Sequence, residues 1–223
     1  MKKVLVVAAH PDDEALGCGA SIALLAAQGV EVETMFLTDG ESSRDSVSSK
    51  SVSKRRKSAQ ASAAVLGIKK LHWENFPDNK MDSIALLDLA KSVEKVIAEF
   101  RPDTVFTHHG GDLNVDHRKV HQAVMTACRP QPEQSVRKIL TFEVASSTEW
   151  ASSAMPVFRP NFYQNIESSL ETKLLALKCY ADELREFPHV RSLESIQAQC
   201  RRRGCEVGYP AAEAFMVERW LSG

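Results

Sequence analysis

Val4 to Ala9 is an unbroken apolar run of strand length, and this feature limits the folds open to the chain more than any other. A strand without polar alternation must be covered on both faces, which is characteristic of a parallel sheet layered between helices. Glu14 to Gln28 then places Leu16, Ala20, Ala23, Leu24 and Ala27 at helical spacing and stops at Gly29, and Val30 to Thr38 follows as a second strand. Strand, helix, strand in this order is the right-handed βαβ unit, whose ligand crevice lies beyond the carboxyl ends of the strands. His10 to Glu14 and Thr38-Asp39-Gly40 both fall at that edge.

The same reading predicts helices over Val52 to Leu66, Ile84 to Phe100, His117 to Cys128, Ile166 to Leu184 and Leu193 to Arg203. Strands are predicted near Ile68 to Trp73, Asp103 to His108 and Ile139 to Ala145, with Ala214 to Trp220 left open between helix and strand. The Ser-rich stretch Gly40 to Ser53 reads as a mobile loop placed to cover the crevice. The fold class expected is α/β, a single-domain Rossmann-like, mostly parallel sheet flanked by helices over residues 1–223.

At 223 residues and 43% hydrophobic content the chain can bury one substantial core. Its net charge of −1, from 28 basic and 29 acidic side chains, offers no field to attract nucleic acid or an anionic membrane. Cys18, Cys128, Cys179, Cys200 and Cys205 contain no CxxC pair, so they read as reduced, mostly buried thiols, not as a disulfide framework or a thiolate zinc knuckle. No window is apolar for long enough to span a bilayer, and the run after Met1-Lys2-Lys3 is too short for a secretory leader. A cytoplasmic protein is therefore expected, with no transmembrane segment and no nucleic acid.

His10-Pro11-Asp12-Asp13-Glu14 puts an imidazole and two carboxylates at the end of the first strand, a set able to hold a divalent metal and keep a free base beside it. The simpler account is that an Asp caps the helix that follows and opposes its dipole. Capping explains one carboxylate and leaves His10 and the other Asp without a task. Distant partners are offered by the turn-rich segment Gly110 to Asp116 and the helix after it, where His117 and His121 share a face. His121 borders the apolar stripe of Val120, Val124 and Ala127 and reads as a hydrogen-bonded packing residue. His117 opens the helix at the crevice edge. A dinucleotide fingerprint at Gly17-Cys18-Gly19, with Asp39 as ribose acid, fails because Ile22 replaces the third glycine and both glycines follow the helix start.

Ala9-His10-Pro11-Asp12-Asp13-Glu14 followed by Asp116-His117-Arg118 resembles the LmbE-like, or PIG-L-like, zinc-dependent deacetylases, which remove acetyl groups from N-acetylglucosaminyl compounds. Leu37-Thr38-Asp39-Gly40-Glu41, an Arg-bearing helix ending at Leu66-Gly67, and Ala212-Glu213-Ala214-Phe215 support the likeness. The resemblance implies Zn2+ bound by His10, Asp13 and His117, with Asp12 as general base, and a set of two imidazoles and one carboxylate also suits ferrous iron, cobalt or nickel. The resemblance also implies that Arg55 reaches the substrate or its phosphate, whereas Lys54-Arg55-Arg56-Lys57 on its own reads most simply as a solvated basic face. The chain departs from the family at Asn114, where many members carry His. Asn114 can donate to an oxyanion but lacks an imidazolium's charge, which leaves His121, His108 and His109 as candidates to restore it. The function implied is hydrolysis of the N-acetyl amide of an amino-sugar compound. The alternatives are a catalytically impaired member that only binds metal and sugar, and an amidase acting on a thiol conjugate.

Overall fold

A computed structural model describes residues 1–43 and 48–222. Its strands are β1 (Lys3–Ala8), β2 (Glu31–Thr38), β3 (Lys70–Phe76), β4 (Thr104–His108), β5 (Lys138–Phe142), β6 (Phe162–Asn165) and β7 (Ala212–Trp220). Its helices are α1 (Asp13–Ala27), α2 (Ser49–Leu66), α3 (Leu86–Phe100), α4 (Val115–Ala127), α5 (Leu170–Lys178) and α6 (Leu193–Cys205). The strands form one seven-stranded sheet in the order β3-β2-β1-β4-β5-β7-β6. The first five strands of that order run parallel, while β7 and β6 close the far edge antiparallel.

Alternate residues of β1 build the two halves of the core. Val4, Val6 and Ala8 pack with α1 residues such as Leu16 and Ile22, and with Leu177 of α5, while Leu5, Val7 and Ala9 pack with Leu89 and Val93 of α3 and Val120 and Val124 of α4. β1 pairs with β2 on one side and β4 on the other, so the chain winds away from β1 in both directions. That divergence opens a crevice at the carboxyl ends of β1 and β4, the topological switch point of a doubly wound sheet. No helix among the described residues is long and apolar enough to cross a membrane.

Several boundaries differ from the sequence reading. Residues 44–47 of the loop expected over Gly40 to Ser53 lie outside the described residues, and α2 already begins at Ser49, where Ser48 and Ser51 form a reciprocal capping box. The helix expected over Ile166 to Leu184 is helical only through α5, with turns following. Ala212–Trp220, left open above, is a strand, and β6 was not foreseen because its four residues are all half-buried.

α1 is broken within. Cys18 has φ −145° and ψ 21°, which frees backbone groups on both sides of it. Lys173 Nζ donates to Leu16 O at 2.7 Å, while Ala20 N and Ser21 N donate to Glu213 Oε1 and Oε2 at 3.0 and 2.7 Å. The two side chains pair with each other at 2.6 Å, both fully interior. Gly17 is required here because a Cβ on it would stand 2.2 Å from the Phe142 ring, so Gly17 serves close packing and not a phosphate loop. Removing one partner of a buried ion pair leaves the other charge uncompensated, at a cost of about 3–5 kcal/mol. Lys173→Met is accordingly expected to lower unfolding free energy by that amount in a urea titration, and an unchanged midpoint would show that the pair does not hold α1.

Candidate active site

His10 follows β1, His117 lies in the first turn of α4 beyond β4, and the switch point brings them together. His117 Nε2 lies 3.3 Å from His10 Nδ1, Asp13 Oδ2 3.2 Å from His10 Nδ1, and Asp13 Oδ1 3.4 Å from His117 Nε2. Donors about 2.0–2.2 Å from one tetrahedral ion stand roughly 3.3–3.5 Å apart, so the triangle has the right edge lengths. A second observation supports the fit. Asp13 Oδ2 accepts from His10 N at 2.8 Å, but Oδ1 is buried without a hydrogen-bond partner among the described residues. A carboxylate oxygen stranded in the interior is what a metal site contains before its ion is added.

Carboxylates behind the donors hold both rings. His10 Nε2 lies 3.2 Å from Asp116 Oδ2 and 3.2 Å from Asp78 Oδ1, and His117 Nδ1 lies 3.1 Å from Asp112 Oδ1. For His10, which hydrogen-bonds Asp116, this carboxylate–imidazole arrangement fixes which ring nitrogen points at a metal, whereas Asp112 stands beside His117 Nδ1 without a hydrogen bond of good geometry. Asp116 accepts in turn from Asn79 N and Met81 N, Asp78 from Ser43, and Asp112 from Ser147, Thr148 and Asn114 N. His10, Asp78 and Asp116 also cluster closely enough to suggest a second ion, but the backbone donors on Asp116 mark it as a hydrogen-bonded support for His10.

The two neighbouring aspartates have opposite surroundings. Burial works against the charge of Asp13, yet His117, His108 and His10 hold its carboxyl well below the usual range. Burial pushes Asp12 upward, opposed by Arg55 and Arg191. Neither caps α1 through its side chain: Asp12 occupies the cap position at φ 139° without a side-chain cap bond, and Asp13 is already helical. A non-glycine residue in such backbone costs on the order of 1–3 kcal/mol and is characteristic of functional sites.

Asp12 lines a cavity of about 160 Å³ with His10, Arg55, Asn79, Asn114 and Arg191. Apart from Gly40, every lining residue carries a polar or charged side chain. Arg55 is buried, with Nη1 2.8 Å from Glu183, Nη2 3.6 Å from Asp12 and Nε 3.9 Å from Glu41. Gly40, at φ 68°, leaves room for that guanidinium, whose Nε would lie 3.3 Å from a Cβ. Lys54 and Arg56 pair on the surface with Asp182 and Asn75, so Arg55 alone of the basic run enters the cavity. A larger adjoining cavity of about 290 Å³ shares Arg55 and Glu183 but none of the metal-donor residues.

Asn114 caps α4 through Oδ1, which accepts from Asp116 N at 2.8 Å, and its Nδ2 donates to Asn79 at 3.0 Å. One amide hydrogen remains for the cavity. None of the histidines offered as substitutes lines this cavity. His108 Nε2 accepts from Ala9 N at 2.9 Å and stacks under His117 with 3.9 Å between centroids, and burial lowers its pKa well below the ordinary value. His109 faces Pro156 O, and His121 Nδ1 meets His108 O as a packing residue. The sequence reading missed Asp78, Asp112, Glu183 and Arg191. Of these only Asp112, inside the Gly110 to Asp116 turn, lay in a segment already singled out.

The PIG-L family, described as GlcNAc-PI de-N-acetylase, matches residues 5–128, more than half of the chain and all of the donor triad. The chain belongs to the PIG-L family. It is 33% identical over 183 residues to the uncharacterized deacetylase YaiS of Escherichia coli K12, covering 79% of this chain and 89% of that one. It is 28% identical over 202 residues to the diacetylchitobiose deacetylase of Thermococcus kodakarensis, covering 83% and 72%. The solved structure of GalB, the 4-carboxy-2-hydroxymuconate hydratase of Pseudomonas putida KT2440, superposes with a TM-score of 0.77 at 24% identity, covering 100% and 98%. The PIG-L fold therefore does not by itself decide the reaction, which must be read from the site.

For His117, burial disfavours the charged ring, but Asp13 and Asp112 outweigh it and raise its pKa to about 9. Below that pH a metal must displace a proton to reach Nε2, so affinity rises with pH toward about 9 and falls beneath it. Metal titration between pH 6 and 8 is expected to show proton release and an apparent Kd that drops about tenfold per pH unit for each proton displaced. His117→Ala is expected to abolish stoichiometric metal in elemental analysis, and full metal content would remove it from the ligand set.

Proposed function

We propose that residues 1–223 form a single metal-dependent deacetylase domain that hydrolyses the N-acetyl amide of an amino-sugar compound, with zinc held by His10, Asp13 and His117. The observation that carries this reading is the donor triangle with a spare carboxylate, Asp12, in the adjoining polar cavity. A cavity lined by hydrogen-bonding side chains suits a polyhydroxyl ligand. The family description and the relative named as a diacetylchitobiose deacetylase support the same class of substrate. The five unpaired cysteines support a cytoplasmic, reducing location.

A divalent metal bound there supplies Lewis acidity toward the amide oxygen and lowers the pKa of water. Asp12 takes the proton of the attacking water and returns it to the departing amine nitrogen. Its upward shift through burial brings it closer to the pH at which a base both accepts and releases a proton efficiently. The remaining N–H of Asn114 faces the developing oxyanion, and Arg55 binds substrate from the α2 side of the cavity.

Incubating metal-replete protein with N-acetylated sugars and nucleotide sugars is expected to release acetate, with activity lost on chelation. Asp12→Ala and Asp12→Asn are expected to keep the metal and lose about 10²–10⁴-fold in turnover. Sugar binding with no acetate release from the metal-loaded wild type would instead identify a binding protein, and normal turnover in Asp12→Ala would remove Asp12 as base.

A further inference from the structure

Asp12 has no cap bond to hold its side chain, so something else must aim it. Part of the cavity wall comes from the connection between α5 and α6, beyond the stretch matched by the family, and carries Arg191. Arg191 Nη1 lies 3.2 Å from Asp12 Oδ2 and 3.6 Å from Glu183 Oε2. Its Nε donates to Ser146 Oγ at 2.5 Å and to Ala145 O at 3.4 Å. Arg55 Nη2 approaches the same Asp12 oxygen at 3.6 Å. Both cations converge on Oδ2, and among the described hydrogen bonds none reaches Oδ1.

The anchor of Arg191 is itself tied to the metal side. Ser146 holds Arg191, while the next residue, Ser147, donates Oγ to Asp112, the carboxylate facing His117 Nδ1. One dipeptide thus grips the base through a guanidinium and the donor triad through a carboxylate. Ser146 sits at φ 68°, a left-handed conformation that serine adopts at a cost and that neighbouring anchors must maintain.

We propose that Arg191, braced by Ser146, is a positioning residue for Asp12: it fixes Oδ2 so that Oδ1 is presented to the reacting water, at a spacing from His117 set by the Ser146-Ser147 pair. The planar guanidinium serves Ser146 and Asp12 at once from Nε and Nη1, a two-point hold that a lysine ammonium does not reproduce. This role rests on Asp12 being the base.

Arg191→Met is expected to lower kcat about 10²-fold, the scale of a misplacement near 1 Å, with KM and metal stoichiometry retained and only a small fall in Tm, since Arg55 still faces both Asp12 and Glu183. Arg191→Lys should recover only part of the loss. Ser146→Gly, which removes the hydroxyl and is at ease at this φ, should lower kcat in the same direction by less. If Arg191 acts through Asp12, the double variant Asp12→Asn, Arg191→Met is no slower than Asp12→Asn alone. Multiplying losses, or a fall in Tm or metal content that tracks the fall in kcat, would overturn the role. A crystal structure of metal-loaded Arg191→Met gives a readout independent of turnover: a rotated Asp12 carboxylate supports the brace and an unmoved one refutes it. Absence of acetate release from the wild type would count against the deacetylase reading alone, and the crystal structure would still decide the brace.

Discussion

A carboxylate buried at the end of the first strand governs the rest of this molecule. Asp13 is 1% exposed, and a charge so placed is tolerated only when surrounding groups compensate it. Two imidazoles, His10 and His117, do so from two strand ends, with His108 packed beside them as a neutral ring. His10 arrives from the turn after β1, His108 ends β4, and His117 comes from the first turn of α4. Those groups meet only because β1 and β4 are neighbours while their crossovers leave in opposite directions. The doubly wound sheet is therefore the means by which one buried carboxylate finds its compensating partners.

The same arrangement separates two chemically identical side chains. Asp13 is ringed by imidazoles and kept ionised, whereas Asp12, one peptide further back, turns toward two guanidiniums in the cavity. Neighbouring carboxylates held in opposed environments are what the proposed division into a metal ligand and a base requires. The unusual backbone at Asp12 is the local means, because a residue in ordinary helical geometry would send consecutive side chains only about 100° apart around the axis.

What could be read from the chain alone follows from how local each signal is. The β1-α1-β2 unit announces itself through an unbroken apolar run and a helical stripe, and His10, Asp13 and His117 sit in short motifs next to those elements. Asn114 and Arg55 were singled out and do line the cavity. Arg191, Asp78 and Glu183 gave no warning: none lies in a motif, and only tertiary packing brings Arg191 to Asp12, Asp78 to His10 and Glu183 to Arg55. β6 and the start of α2 were obscured for another reason. Short half-exposed strands and serine-rich caps look like loops until a partner strand or a reciprocal capping bond gives them shape.

The broken helix α1 has one further consequence. Its freed backbone groups are satisfied by Lys173 and Glu213, and the hydroxyl of Tyr180 reaches Glu14 at 2.7 Å, so the helix that carries Asp13 is completed by residues from the last quarter of the chain. The PIG-L domain match ends at Cys128, although the likeness to individual relatives runs further along the chain. The segment matched as the PIG-L domain and the unit of physical integrity are thus different lengths of polypeptide. A fragment trimmed to the former would keep its signature yet leave raw amides and carbonyls at the heart of its first helix.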